Sequence, residues 1–188
     1  MDIMSDTRVD IETLNRLLIE KSVKRGSFIL ASGKSSDVYV DARLTTMSPE
    51  GMVLIGRLGL AAINAMTWRP DSIGGLTMGA DPVSFAISHT SALKGNPIRA
   101  FSVRKEAKDH GTANRIEGPF NSGDRVVVIE DVITTGRSAL QAIDAIESGG
   151  GIIVGVLAVV DRQDGGTEAI NARGFQVHSL TRIAELIG

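Results

Sequence analysis

The strongest constraint in this chain is a pair of branched-apolar runs, Val126-Val127-Val128-Ile129 and Ile152–Val160, separated by a stretch of helical spacing. A strand with one wet face alternates apolar and polar residues, so a near-continuous Val/Ile run calls for a strand covered on both faces. The stretch between them, about Arg137 to Ser148, runs into Gly149-Gly150-Gly151, where a helix is expected to stop. Further strands are expected at Ser72–Met78, Ile98–Val103 and Phe175–Leu180, and further helices at Pro82–Leu93, Thr167–Ala172 and Arg182–Ile187. Strands separated by helices give an α/β fold, with a mostly parallel central sheet flanked by helices. In such sheets ligands bind beyond the carboxyl ends of the strands, which singles out the segments after Met78, Val103 and Ile129.

The N-terminal third is less regular. A first helix is expected over Asp10–Arg25, with Ile11, Leu14, Leu17, Leu18 and Val23 on roughly one face. Short extended pieces follow at Phe28–Leu30 and Val38–Asp41, on either side of a turn-like SGKSSD. Ser48-Pro49-Glu50 then supplies an N-cap, a proline at the first helical position and an early acid, opening a helix to about Thr67.

With 188 residues and no repeat or low-complexity linker, a single domain spanning 1–188 is expected. A net charge of −2 gives no reason to expect nucleic acid or an anionic membrane as partner. The absence of cysteine removes disulfides, thiolate metal sites and thiol catalysis. Acids at Asp2, Asp6 and Asp10 and the lack of an apolar core make the N-terminus unlike a signal peptide. No apolar run is long enough to span a bilayer, so a cytoplasmic protein is expected.

The chemistry concentrates after Ile129, where Glu130-Asp131 is followed by Val-Ile-Thr-Thr-Gly-Arg-Ser138 and a helix. A turn from a buried strand into a helix aims several backbone N–H groups into one concavity, with the positive end of the helix dipole behind them. Thr134, Thr135 and Ser138 add hydroxyl donors, and Gly136 permits a left-handed conformation. This is a cradle for a phosphate monoester; neither GxxxxGK[ST] nor a strand-linked GxGxxG is present. A ribose 5-phosphate held there would place its vicinal hydroxyls against the acid pair. Taken alone, the pair equally fits an N-cap aspartate beside an exposed glutamate; the complete string favours a ligand.

Two other strand ends carry charge. Arg104–Gly111 reads RKEAKDHG, with Arg104, Lys105, Lys108 and His110 interleaved with acids. By itself this suits a solvated helix face. It leaves a strand's carboxyl end, however, and the long polar GTANRIEGPFNSG that follows has the character of an active-site lid. Asp161-Arg162-Gln163 follows the Ile152–Val160 strand, and Arg162 is either a turn residue at the surface or a fork for a planar carboxylate. His89, in a helix, and His178, in a strand, lack a second ligand at metal spacing and read as structural.

VVVIEDVITTGRS resembles the phosphoribosyl-pyrophosphate (PRPP) motif of type I phosphoribosyltransferases, acid pair and TTG turn included. That resemblance implies the sheet inferred above, with an N-terminal helix and small hood (about 1–45) over the active site and a mobile loop (about 104–120). RKEAKDHG is similar to the catalytic loop of orotate phosphoribosyltransferases, a narrower match. It implies that Arg104, Lys108 and His110 reach the pyrophosphate across a homodimer interface and that Lys105 serves the same site. Cationic donors suit a diphosphate leaving group, and a closed lid excludes water.

The PRPP-binding set implied is therefore Arg104, Lys105, Lys108, His110, Glu130, Asp131, Val132, Ile133, Thr134, Thr135, Gly136, Arg137 and Ser138, with Lys108, Glu130 and Asp131 catalytic. DRQ and SGKSSDVYVDAR also resemble the orotate enzymes, implying that Arg162, Thr134, Tyr39 and Val40 meet orotate. Mg²⁺ is expected as cofactor, bound mainly through PRPP oxygens rather than a protein cage. Two departures stand out: many bacterial relatives carry lysine where Ala31 stands, and Tyr-Lys where this chain reads GLTMGADPV around Gly79. The expected activity is transfer of ribose 5-phosphate from PRPP to orotate; the rivals are a transferase for another base and a PRPP-binding regulator of the same fold.

Overall fold

A computed structural model describes residues 3–29, 35–106 and 115–188. Lys108, His110 and Ala31 lie outside the described residues. The chain opens with α1 (Ile3–Lys21), a hairpin of β1 (Val23–Ile29) and β2 (Ser35–Val40), and the short α2 (Arg43–Thr46). It continues through α3 (Pro49–Ala65), β3 (Ser72–Leu76), α4 (Ala80–Leu93), β4 (Arg99–Val103) and β5 (Ile116–Glu117). The last third contains β6 (Arg125–Ile133), α5 (Arg137–Ser148), β7 (Ile152–Asp161), α6 (Gly166–Ala172), β8 (Val177–Arg182) and α7 (Ile183–Ile187).

Six strands form one sheet in the order β5-β4-β3-β6-β7-β8, parallel except for β5. Its two faces bury separate cores. Val127, Ile129 and Leu157 pack with α1, α3 and α4 residues such as Leu14, Ile55 and Ile87. Val126, Val128 and Val156 pack with Ala139, Ile143 and Ile146 of α5 and Ile170 of α6. Val126–Ile129 is therefore buried from both sides, as its unbroken apolar run requires. The connection from β3 leads outward to β4, while the connection from β6 leads the opposite way to β7. The sheet thus has its switch point between β3 and β6, where a crevice opens beyond the carboxyl ends.

Several boundaries differ from expectation for a shared reason. The first helix ends at Lys21 rather than Arg25, because Val23 pairs with Val40 across the β1–β2 hairpin. Helical periodicity cannot see a partner that lies seventeen positions along. The central strand runs through the acid pair to Ile133, because Val132 and Ile133 pair with Val160 and Asp161. Glu130 and Asp131 accordingly sit inside β6 and not just beyond it. In the polar stretch after the basic segment, Ile116 and Glu117 add a short antiparallel edge to β4, anchored by a buried Ile116. By contrast, the Ser48 hydroxyl accepts the Gly51 N–H at 3.1 Å as an N-cap should, and α5 spans the expected Arg137–Ser148.

Candidate active site

Beyond the ends of β3, β6 and β7 lies a cleft in two lobes that share Tyr39, Val40, Glu130, Val132, Thr134 and Ser138. One lobe, of about 490 Å³, is walled by the β6–α5 turn, Arg162 and the hood. The other, of about 550 Å³, is walled by Leu76–Gly79, Asp131, Lys105 and Asp41–Arg43. The hood hairpin roofs both, with the Tyr39 ring propped on Phe28 at a centroid distance of 5.6 Å.

The turn from β6 into α5 pivots on a glycine. Gly136 adopts φ 76°, the left-handed conformation anticipated for it, and its carbonyl accepts the Leu140 N–H at 2.9 Å to start the helix. The first amides of α5 have no partner within the helix, and Thr134, Thr135, Gly136, Arg137 and Ser138 all line the first lobe. Gly166 backs this turn: a Cβ there would stand 2.5 Å from the Thr134 carbonyl and 2.6 Å from the Gly136 nitrogen. Sequence reasoning missed Gly166, whose only local signal is the Gly165-Gly166 pair after the DRQD turn.

Glu130 is 6 % exposed, and burial pushes its carboxyl well above the usual carboxylate range, with the Asp131 charge adding to the shift. A Glu130 that keeps its proton lets two carboxyl groups adjoin without two desolvated charges, and offers the cleft an O–H donor besides its acceptors. The Asp131 carboxylate accepts the Val132 N–H at 2.9 Å. Gly79 lies directly against it, since a Cβ at 79 would be 2.5 Å from Asp131 Oδ1. The loop carrying Gly79 is held from below by Asp81, which accepts the Thr77 and Ser102 hydroxyls at 2.7 Å each. Asp81 also escaped the sequence reading, because its partners come from the ends of two different strands.

Arg162 is not a surface turn residue. It is 8 % exposed, and donates from Nη1 to the Val38 carbonyl at 3.1 Å and from Nη2 to the Ser36 hydroxyl at 3.2 Å. Its Nε has no hydrogen-bond partner, and Asp164 is 3.5 Å away. Arg162 therefore ties the end of β7 to the hood and lines the first lobe. Asp161 fixes the turn by accepting the Gln163 N–H at 2.7 Å and the Thr167 hydroxyl at 2.9 Å.

Tyr39, Val40, Glu130, Val132, Ile133, Thr134, Thr135, Gly136, Arg137, Ser138 and Arg162 are thus gathered round the first lobe, and Asp131 and Lys105 round the second. Arg104 is not brought to either lobe; it stands 3.7 Å from Glu117 at the sheet edge. His89, exposed on α4, and His178, half-buried on β8, are likewise remote from both lobes. Burial pulls His178 below the ordinary histidine range, as for an imidazole held in a strand.

No family model matches the chain. It is similar to the orotate phosphoribosyltransferase of Aquifex aeolicus (strain VF5), 46% identical over 179 residues that cover 94% of this chain and 97% of the relative. It is also similar to that of Corynebacterium glutamicum (strain R), 44% identical over 186 residues covering 97% and 98% of the two chains. Among solved structures, the Mycobacterium tuberculosis H37Rv orotate phosphoribosyltransferase in complex with PRPP superposes with a TM-score of 0.78. That pair is 39% identical, with 95% of this chain and 92% of the other covered. A parallel sheet with its switch point beside an acid pair, a phosphate-shaped turn on the same strand, and likeness over nearly the full length lead to one conclusion: the chain belongs to the orotate phosphoribosyltransferase family.

Proposed function

We propose that this chain transfers ribose 5-phosphate from PRPP to orotate, giving orotidine 5′-monophosphate and pyrophosphate, a step of de novo pyrimidine (UMP) synthesis. The observation that carries the reading is the two-lobed cleft round which the β6–α5 turn, the acid pair and Arg162 are gathered. The 5-phosphate sits on the amides of 135–138, and the ribose hydroxyls lie against Glu130 and Asp131. Orotate lies beneath Tyr39 and Val40, its carboxylate directed to Arg162 and its ring edge to Thr134. That leaves the second lobe, with Lys105 and the Met78–Gly79 backbone, for the diphosphate.

With the base and leaving group on opposite sides of the sugar, N1 of orotate bonds to C1 as the C1–O bond breaks, and the N1 proton passes to the departing diphosphate. The electron pair departs with the diphosphate. Positive charge on the sugar at mid-reaction is met by Asp131, and negative charge on the leaving oxygen by the cations of the second lobe. Among the described residues no group of three or more His, Cys, Asp or Glu could cage a metal. A Mg²⁺ ion, which takes few protein ligands, would be held mainly by diphosphate and ribose oxygens with the acid pair nearby, and would neutralise diphosphate charge.

The same reading includes a cytoplasmic homodimer whose 104–120 segment completes the partner's site, with Arg104, Lys108 and His110 as its cations. The position of Arg104, outside both lobes of its own chain, supports that arrangement. Among the described residues no helix is long and apolar enough to cross a membrane.

A panel of bases with PRPP and Mg²⁺ tests the assignment. Orotate should be consumed with release of pyrophosphate, and uracil and adenine turned over at least about 10²-fold more slowly, because neither offers Arg162 a carboxylate. Turnover of adenine alone would point to the transferase for another base. PRPP binding with no turnover of any base would point to the regulator.

A further inference from the structure

The second lobe contains a guanidinium that neither the motifs nor the resemblance assigns. Arg43 stands at the start of α2, immediately after the hood strand, and lines the lobe together with Lys105, Gly79 and Asp131. Asp41 holds it side-on: Nε donates to Oδ1 at 2.8 Å and Nη2 to Oδ2 at 2.9 Å. Asp41 is itself anchored, its own N–H donating to the Ser22 carbonyl at 3.0 Å and its carboxylate accepting the Arg43 N–H at 3.2 Å. A guanidinium has five N–H donors, and this fork uses two of them. Neither hydrogen of Nη1 has a partner among the described residues, and the side chain remains 46% exposed.

We infer that Arg43 is a binding residue for the diphosphate of PRPP, an inference that rests on the function proposed above. A clamp that served only to close the turn between β2 and α2 would not need a cation facing a substrate lobe. The lobe already contains Asp131, so an anion entering it meets repulsion unless cations are fixed nearby. Lys105 is a single-point charge on a flexible stem. Arg43 is a planar fork whose orientation is set before the ligand arrives, which lowers the ordering cost of binding. The pair is also electrostatically coupled: hydrogen bonding to Arg43 lowers the Asp41 carboxyl below its usual range, while Asp41 first and Asp131 to a smaller degree raise the guanidinium.

The test compares wild type with Arg43→Ala, Arg43→Gln and Arg43→Lys in the full chain. It reads the KM values for PRPP and orotate, the Kd of pyrophosphate by calorimetry, and Tm as the folding control. Arg43→Gln is shorter and uncharged, but its amide nitrogen reaches about where Nε donates to Asp41, so it can keep that one hydrogen bond and reports even if the alanine variant fails to fold. Arg43→Ala and Arg43→Gln should raise the PRPP KM and pyrophosphate Kd by about tenfold or more, with the orotate KM within about twofold. Arg43→Lys should recover part of that loss. Unchanged pyrophosphate affinity in Arg43→Gln, or equal losses for pyrophosphate and orotate, would overturn the inference. If wild type itself bound no PRPP, the functional reading would fail instead.

Discussion

Asp131→Asn should lower kcat by a factor on the order of 10²–10³, with the fold and thermal midpoint essentially unchanged. The substitution is nearly isosteric and Asp131 is half-buried, so the amide can still accept the Val132 N–H through its remaining oxygen. In the proposed reaction, what is removed is the negative charge assigned to face the sugar as its C1–O bond breaks. Gly79 is packed against that carboxylate so closely that no side chain fits between them, and Asp81 fixes the Gly79 loop in turn. The charge is therefore held at one place rather than left to find it. Glu130→Gln should be milder, because the carboxyl at 130 is driven toward its protonated form by burial and an amide imitates that form. Steady-state rates with orotate and PRPP decide the matter: wild-type turnover in Asp131→Asn, or a larger loss in Glu130→Gln, would contradict these roles.

Gly166→Ala should separate the phosphate cradle from the rest of the cleft. A methyl group at 166 would stand 2.5 Å from the Thr134 carbonyl, 2.6 Å from the Gly136 nitrogen and 2.6 Å from Ile133 Cγ2. The first two are backbone atoms of the turn and the third is the side chain at the end of β6, so the turn must move to relieve the overlap. Overpacking of this kind costs about 1–3 kcal/mol of stability. Functionally, ligands with a 5-phosphate should suffer most: the Kd of PRPP and of orotidine 5′-monophosphate should rise by about tenfold or more, each having lost aligned amide donors. Pyrophosphate, which the proposed function assigns to the other lobe, should keep an affinity within about twofold of wild type. Calorimetry with both kinds of ligand checks this, and an equal loss for both would show that the two lobes do not divide the substrate in this way.

How legible each part was in the sequence follows from how local its cause is. The β6–α5 unit could be read because its signals are consecutive: a Val/Ile run, an acid pair, a glycine that must turn left-handed and a helix closed by three glycines. Its acids were placed one step too far along, since only pairing with Val160 and Asp161 of β7 carries the strand on to Ile133. The N-terminal helix was misjudged for the same reason, with Val23 taken by Val40.

At the site, Arg162 could be found by its place after a buried strand, but not its burial or its tie to Ser36 and Val38, which lie more than a hundred positions earlier. Gly166 has no motif of its own, Asp81 reads only as the residue before the proline that opens a helix, and Arg43 closes SGKSSDVYVDAR without being given a role by it. Each acquires a role only when another element folds against it, as Ser102 does against Asp81.

The most direct measurement is a crystal structure of the chain grown with PRPP and Mg²⁺. The 5-phosphate is expected within hydrogen-bonding distance of the amides of 135–138, the ribose hydroxyls against Glu130 and Asp131, and the diphosphate toward Lys105 and Gly79. Density showing the phosphate bound elsewhere, or the turn occupied by the protein's own side chains with donor in excess, would contradict it.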